Sequence, residues 1–415
     1  MKFDLTKKLR KHNSLLKYQL HTDSLTRLPN RNALLAKLKD LKEPVLMLID
    51  IDSFKNINDI YGKQVGDTVL CEVSSMLQAF VKREKYKLYK VGSDEFVVIK
   101  ESKFDEFSCT KVIKNIIETI GSKAIYIKKY DLYINVNITI GVSACKLDTL
   151  GHADMALKRA KEQKIPFKIY DDTIDKEYKN DLKWTIIVNE AIKNNEVVPY
   201  FQPIFDKNKN ILKYESLMRI EHNNEIFSPF LFLDIAKKSK QYNQLEEIMI
   251  LKVINIIKAD KKRVNLNVSI EDMVSEYFIS FIEKLLKESN IAEYITFEVL
   301  ESESIDDYNK VINFIDMVKS YGCLIAIDDF GSGFSNFSHL LKLHPNYIKI
   351  DGSLIKNIDT DNNSFIIVET INQFAHKLGI KTVAEYVHKK KIFEILKEMG
   401  IDEYQGYYLG EPKNS

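Results

Sequence analysis

At 415 residues, 45% of them hydrophobic, the chain is long enough for two or three domains, each with an ordinary packed core. Lysine and arginine total 61 against 59 aspartates and glutamates, a near-neutral balance without a dense basic block, which argues against nonspecific binding of a nucleic-acid polymer. The longest apolar run, residues 45–49, is too short for membrane insertion, residues 1–10 lack a signal core, and Cys71, Cys109, Cys145 and Cys323 form no paired motif, so a cytoplasmic protein with free thiols is expected.

Residues 3–21 carry Leu5, Leu9, Leu16 and Leu20 at helical spacing, which suits a signalling helix or a plain amphipathic one. After the break at Pro29-Asn30 a helix is expected to about residue 41, then a strand over 45–52 and a helix over 67–81. The strands KLYKV and FVVIK flank Gly92-Ser93-Asp94-Glu95, a hairpin signal in which the glycine is expected to open a type II′ turn. A helix near 104–120, strands over 124–127 and 133–144, and a helix over 153–163 complete a mixed α+β domain. Residues 171–195 are polar with helical periodicity and read as an interdomain connector.

Eight strands are expected beyond it, over 198–205, 212–220, 264–268, 295–300, 324–327, 347–350, 382–384 and 404–409. Alternation of strands with helical segments predicts a closed α/β barrel of the TIM type. Only Lys207 to Asn210 separate the first two strands, which requires a hairpin and hence one antiparallel strand. Glu215, Asn267, Glu298, Asp328, Asp329 and Glu385 are expected at strand ends, which converge on one mouth of such a barrel. Acidic groups crowded there repel one another unless cations sit among them, and an all-oxygen donor set suits Mg²⁺ or Mn²⁺.

The segments FQPIF, YESLMR, NLNVS, FEVLE, AIDDFGSGFS, YIKIDGS, TVAEYV and YQGYYLGEP, in that order, resemble an EAL domain, here bounded at residues 196–415. The name-giving triplet reads Glu215-Ser216-Leu217. The resemblance implies a cyclic-di-GMP phosphodiesterase that yields linear pGpG with two Mg²⁺ or Mn²⁺ ions per site, roughly 4 Å apart. It implies that Glu215, Asn267, Glu298 and Asp328 hold one ion and that Asp328 bridges to a second held by Asp329 and Glu385. Glu385, Lys349 and Asp329 become the candidate catalytic residues, with Glu385 the candidate general base. Gln202, Arg219 and Gln405 become substrate contacts, Arg219 through its bidentate fork. Adjacent aspartates normally diverge with the pleat, so Gly331 and Gly333 are expected to bend the chain and turn both inward. A homodimer through this domain also follows from the resemblance. Where the family has AEGVE the chain has Ala384-Glu385-Tyr386-Val387-His388. A positive φ would strain Tyr386, and His388 in place of glutamate weakens the anchoring of the loop 331–337. A non-catalytic cyclic-di-GMP receptor is one alternative. A diguanylate cyclase or bifunctional enzyme is another.

DSLTRLPNR, LIDIDSFKNINDIYGKQVGD and VGSDEF resemble a GGDEF domain over residues 22–171, the family that makes cyclic di-GMP from two GTP. The candidate GTP site it implies consists of Asp50, the Ile51 carbonyl and Asp94 for Mg²⁺, Asn58 and Asp67 for guanine, and Gly92 to admit the phosphates. Ser93, Lys63, Ile165 and Tyr86 depart from the family pattern, Ile165 at the position of a phosphate-binding arginine. The domain is therefore expected to be degenerate and to sense GTP rather than cyclise it, with the helix over 172–195 coupling it to the barrel.

Overall fold

The computed structural model describes residues 18–300, 308–331 and 342–414. Most of the helix expected at 3–21 lies outside them, and its described end, residues 18–21, is helical. The chain divides into two compact units between Asn180 and Asp181.

The first unit is built on a five-stranded sheet in the order Lys87–Lys90, Glu95–Glu101, Pro44–Ile51, Ile138–Ser143, Phe167–Ile169. The central strand Pro44–Ile51 is buried along its whole length because helices cover both faces. Its Met47 and Ile49 pack with Val69, Val73, Ile113 and Ile116 on one side. Leu46 and Leu48 pack with Leu34 and Leu157 on the other. Successive strand residues point to opposite faces, so an unbroken apolar run is what a doubly covered strand requires.

The single strand expected over 133–144 is two strands. Leu132–Ile134 pairs with Ile125–Ile127 in a separate ribbon, while Ile138–Ser143 joins the main sheet. The break falls at Asn135-Val136-Asn137, where the Asn137 carbonyl accepts from the Asp52 amide at 3.0 Å instead of continuing the ribbon. The helix expected over 67–81 runs Lys63–Glu84, preceded by a short helix Phe54–Tyr61, with Gly62 at φ +85° between them.

The helix Asp172–Lys193 contributes to both units. Glu177 pairs with Arg159 at 3.1 Å and the Arg159 guanidinium lies 4.6 Å from the Tyr178 ring centre. Further along, Trp184, Val188 and Ala191 join the apolar cluster of Val197, Ile220 and Phe232.

In the second unit eight strands close into a barrel: Val197–Phe205, Ile211–His222, Val264–Asn267, Ile295–Leu300, Leu324–Phe330, Tyr347–Ile350, Lys381–Ala384 and Glu403–Tyr404. The first is antiparallel to both of its neighbours, the second and the eighth. The remaining neighbours are parallel. Alternation on each strand separates the outer core from the interior. Phe297 and Val299 join the outer core, while Thr296 and Glu298 take the opposite face. The last strand stops at Tyr404 instead of running to 409. The backbone at Gly406 (φ +154°) passes so close to Val387 that a Cβ would stand 2.3 Å from its amide nitrogen. Among the described residues no helix is long and apolar enough to cross a membrane.

Candidate functional site

Each barrel strand brings one polar side chain to the same end of the interior, on the strand or just past its last residue. In chain order these are Gln202, Glu215, Asn267 and Glu298, then Asp328, Lys349, Glu385 and Gln405. Glu215 lies inside its strand rather than at its end, because Ile211–His222 continues well beyond the rim. Asp328 and Asp329 are adjacent on Leu324–Phe330. The bend that turns both toward the site is at Asp329 itself, with φ +55°, where the register to the next strand shifts between Ile327 and Phe330. Gly331 (φ +95°) continues the turn, and Gly333 lies outside the described residues. A bulge thus does what glycines alone were expected to do.

Lys349 is wholly buried at the centre. Its ammonium lies 2.8 Å from Asp328 Oδ1, 2.8 Å from Glu385 Oε1, 3.1 Å from Glu298 Oε2 and 3.3 Å from Glu215 Oε2. Gln405 donates to Glu215 Oε2 at 2.6 Å and to Gln202 Oε1 at 3.1 Å, so both glutamines are buried and engaged in holding Glu215. Asn267 donates to Glu215 Oε1 at 3.2 Å, and Ser269 caps the helix that follows. Arg219 is half-buried, gives Nη1 to the Met218 carbonyl at 2.8 Å and lies over the Tyr200 ring.

Four carboxylates therefore surround one ammonium, with Asp329 beside them, and their proton affinities reflect the imbalance. Burial would lower Lys349, but Asp328, Glu215, Glu298 and Glu385 together hold it well above its ordinary value. Burial pushes Glu385 up to about 8 against the pull of Lys349, with Asp328 and Glu215 adding to the rise. Burial and Asp328 raise Asp329 to about 6. Glu298 is raised strongly by burial despite Lys349. Glu215, equally buried, is held below its ordinary value because Lys349, Gln405 and Asn267 all favour its charged form. Glu215 and Glu298 share the ammonium yet move in opposite directions, since Glu215 receives two further donors and Glu298 only Asn265, at 2.6 Å.

Carboxylate oxygens of Glu215, Glu298 and Asp328 come within 4.8 Å of one another, and so do those of Asp328, Asp329 and Glu385. Two acidic triplets sharing Asp328, in a hard-oxygen pocket with surplus negative charge, fit two divalent cations. Asp328 Oδ1 meets Lys349 as an ion pair without the alignment of a hydrogen bond, which leaves a buried acceptor for such an ion.

Beside this cluster opens a cavity of about 250 Å³ lined by Leu217, Met218, Tyr242, Met249 and Leu300, with Asn267 and Glu298 at its edge. No motif or spacing marked Tyr242, Glu246 or Asn265. Leu217 and Leu300 flank recognised acids and could have been read from that position. Tyr386 has φ +53° and is about half exposed, so the strain foreseen for a side chain at this position is present. Gly352 makes room for it, since a Cβ there would stand 2.8 Å from the Tyr386 Cβ. His388 Nδ1 lies 3.2 Å from the Tyr386 carbonyl.

In the first unit Asp50, next to last on the central strand, lies opposite Glu95, and its carboxylate pairs with Lys161. Ser93 Oγ donates to Asp94 at 2.6 Å, and Lys90 Nζ donates to the carbonyls of Gly92 and Ser93. Gly92 does not have the positive φ of a type II′ turn. Its missing Cβ instead leaves space occupied by the Glu95 side chain, whose Oε2 would be 2.3 Å away. The Asn58 side chain packs on Gly66, one residue before Asp67, where a Cβ would stand 2.0 Å from its Oδ1. Lys161 and Lys90 are residues of this site that motif reading passed over.

Comparison with known proteins agrees with this architecture. The diguanylate cyclase GGDEF domain family matches residues 20–165, and the EAL domain family matches residues 187–412. The chain belongs to the proteins that carry a GGDEF domain followed by an EAL domain. It is 28% identical to the cyclic di-GMP phosphodiesterase PdeB of Shewanella oneidensis, over 96% of this chain and 49% of that protein. It is 26% identical to the bifunctional diguanylate cyclase/cyclic di-GMP phosphodiesterase MucR of Pseudomonas aeruginosa, over 97% of this chain and 62% of that protein. The chain thus spans about half to three fifths of the length of these relatives. The S helix-GGDEF-EAL structure of Vibrio cholerae LapD shares the fold at 19% identity and a TM-score of 0.52, covering 97% of this chain and 99% of that one.

Proposed function

We propose that the barrel hydrolyses cyclic di-GMP to linear pGpG. The observation that carries this reading is the surplus of buried carboxylates around Lys349, in two triplets that share Asp328. Glu215, Asn267, Glu298 and Asp328 would hold one divalent cation, Mg²⁺ or Mn²⁺, and Asp328, Asp329 and Glu385 a second. Such a pair supplies an activated water and neutralises charge developing on phosphorus. Lys349 stays protonated, so it acts as a fixed positive charge toward a phosphate oxygen and not as a base. Burial raises the Glu385 carboxyl to about 8 with Lys349 its nearest cation, and a divalent cation beside it would favour the charged form, which can take a proton. Gln405 holds Glu215 directly and is itself held by Gln202, and Arg219, four residues farther along the Glu215 strand, would meet a phosphate. The test is one incubation with cyclic di-GMP and another with GTP, each resolved by chromatography. Linear product from the first alone supports the proposal. Binding without product makes the barrel a receptor, and cyclic product from GTP makes the first domain a cyclase.

The first domain is assigned a GTP-sensing role in the same proposal. Asp50 and Asp94 at the strand and hairpin ends, with Asn58 and Asp67 on the neighbouring helices, retain groups for metal and guanine. Ile165 offers no charge to a phosphate, which favours binding over turnover. Calorimetry with GTP tests it, and no heat of binding removes the role.

A further inference from the structure

The barrel interior holds a second charged group that the proposed reaction does not use. Lys213, Tyr347 and Glu403 lie two residues before Glu215, Lys349 and Gln405 on the same three strands. Residues two apart on a strand share a face and are separated by about 6.6 Å, so the first trio forms a floor beneath the second. Lys213 and Glu403 are 4% and 3% exposed. Lys213 Nζ lies 2.9 Å from Glu403 Oε2 and 3.2 Å from the centre of the Tyr347 ring. Neither charged atom has a hydrogen-bond partner among the described residues. Around them the interior is apolar, with Ile204, Ala326 and Val383.

Packing alone does not account for this pair. A buried ion pair without supporting hydrogen bonds is a poor source of stability, and apolar side chains of similar volume do as well or better. What distinguishes the pair is its location. Glu403 is two residues from the glutamine that grips Glu215, and Lys213 is two residues from Glu215 itself. We propose that Lys213 and Glu403 are positioning residues for the carboxylate cluster. Paired, they present no net charge to the ligands above, so Glu215 and Gln405 keep the electrostatic surroundings in which they are held. This inference rests on reading that cluster as a divalent-cation site.

The experiment is Mn²⁺ titration by calorimetry on full-length wild type, Glu403→Gln, and the double variant Lys213→Met/Glu403→Met, with Tm recorded for each. Glu403→Gln leaves an unpaired ammonium beneath the ligands and should weaken Mn²⁺ binding about tenfold. The double variant removes both charges and should bind within about threefold of wild type. A purely structural pair predicts lower Tm with unchanged Mn²⁺ affinity in the folded single variant, which overturns the proposal. If Glu403→Gln does not fold, Lys213→Met decides in its place: it leaves an unpaired carboxylate beneath the ligands, so tighter Mn²⁺ binding supports charge balance, and unchanged or weaker binding overturns it. Wild type that binds no Mn²⁺ overturns the cation-site reading and this inference together, whereas binding unaltered by Glu403→Gln overturns this inference only.

Discussion

The two units answer the same problem, acidic side chains gathered at strand ends, in opposite ways. In the first, Asp50 is matched by Lys161, and Lys90 holds the hairpin carbonyls, so protein lysines already supply positive charge. In the barrel one lysine faces four carboxylates directly, and Asp329 lies beside them with its proton affinity raised. A motif's acids do not by themselves measure demand for a cation; the local balance of charge does. By that measure the barrel has a surplus of carboxylates that could hold a cation, while Asp50 of the first unit already has a lysine partner.

The sharpest break of this contrast is Glu215→Ala. It removes a ligand and the anchor shared by Gln405, Asn267 and Lys349, and should reduce turnover of cyclic di-GMP by at least about a thousandfold. Circular dichroism should still report a folded chain, and a variant that keeps full activity would sink the ligand assignment. Replacing Mg²⁺ by Ca²⁺ comes next. Longer and looser coordination spoils a two-ion arrangement, so Ca²⁺ should inhibit in competition with Mg²⁺; equal rates in the two ions would count against paired cations.

In the first unit the effect is smaller. Losing one charge-assisted contact costs about 1.5–3 kcal/mol, roughly 10- to 100-fold in affinity, so GTP binding should survive with Ile165 and weaken further in Asn58→Ala. Phosphodiesterase rate measured against GTP concentration should rise in wild type and not in Asn58→Ala, and a flat wild-type response removes the sensing role. The smallest effect concerns Glu246, beside the cavity. Burial and then Asp272 raise its carboxyl to about 9. The native state keeps this proton while the unfolded chain releases it above pH 4.5. The stability contribution is thus present in full below 4.5 and is lost as pH rises toward 9. Glu246→Gln should raise Tm at pH 8 by a few degrees and change it little at pH 4.5; the reverse order would refute the assignment.

Much of this was legible in the sequence because the relevant signals are local. Strand–helix alternation and the four-residue link at 207–210 were enough for a barrel with one reversed strand. The acids, spread over four strands or their ends, marked the mouth. What escaped depended on partners distant in sequence. Asn265 matters through Glu298, Lys161 through Asp50 and Tyr242 through Asp272, pairs that only the closed fold brings together. The split of 133–144 was hidden because both pieces carry strand-like residues. Only the pairing of Asp52 with Asn137 shows where the chain changes sheets. The bend at Asp329 was placed on glycines because positive φ is their habit, and here an aspartate adopts it.

The reversed first strand decides where the barrel is tethered. Val197 pairs with Ile220, at the end of the second strand, so the chain leaves the helix Asp172–Lys193 and enters the barrel on the face where the acids gather. With a parallel strand of nine residues the entry would be on the opposite face, about 30 Å away. The attachment point is therefore only five residues from Gln202, and through it one hydrogen bond from Gln405. The residues that join this helix to the barrel thus lie at the end where the acids gather and not at its base.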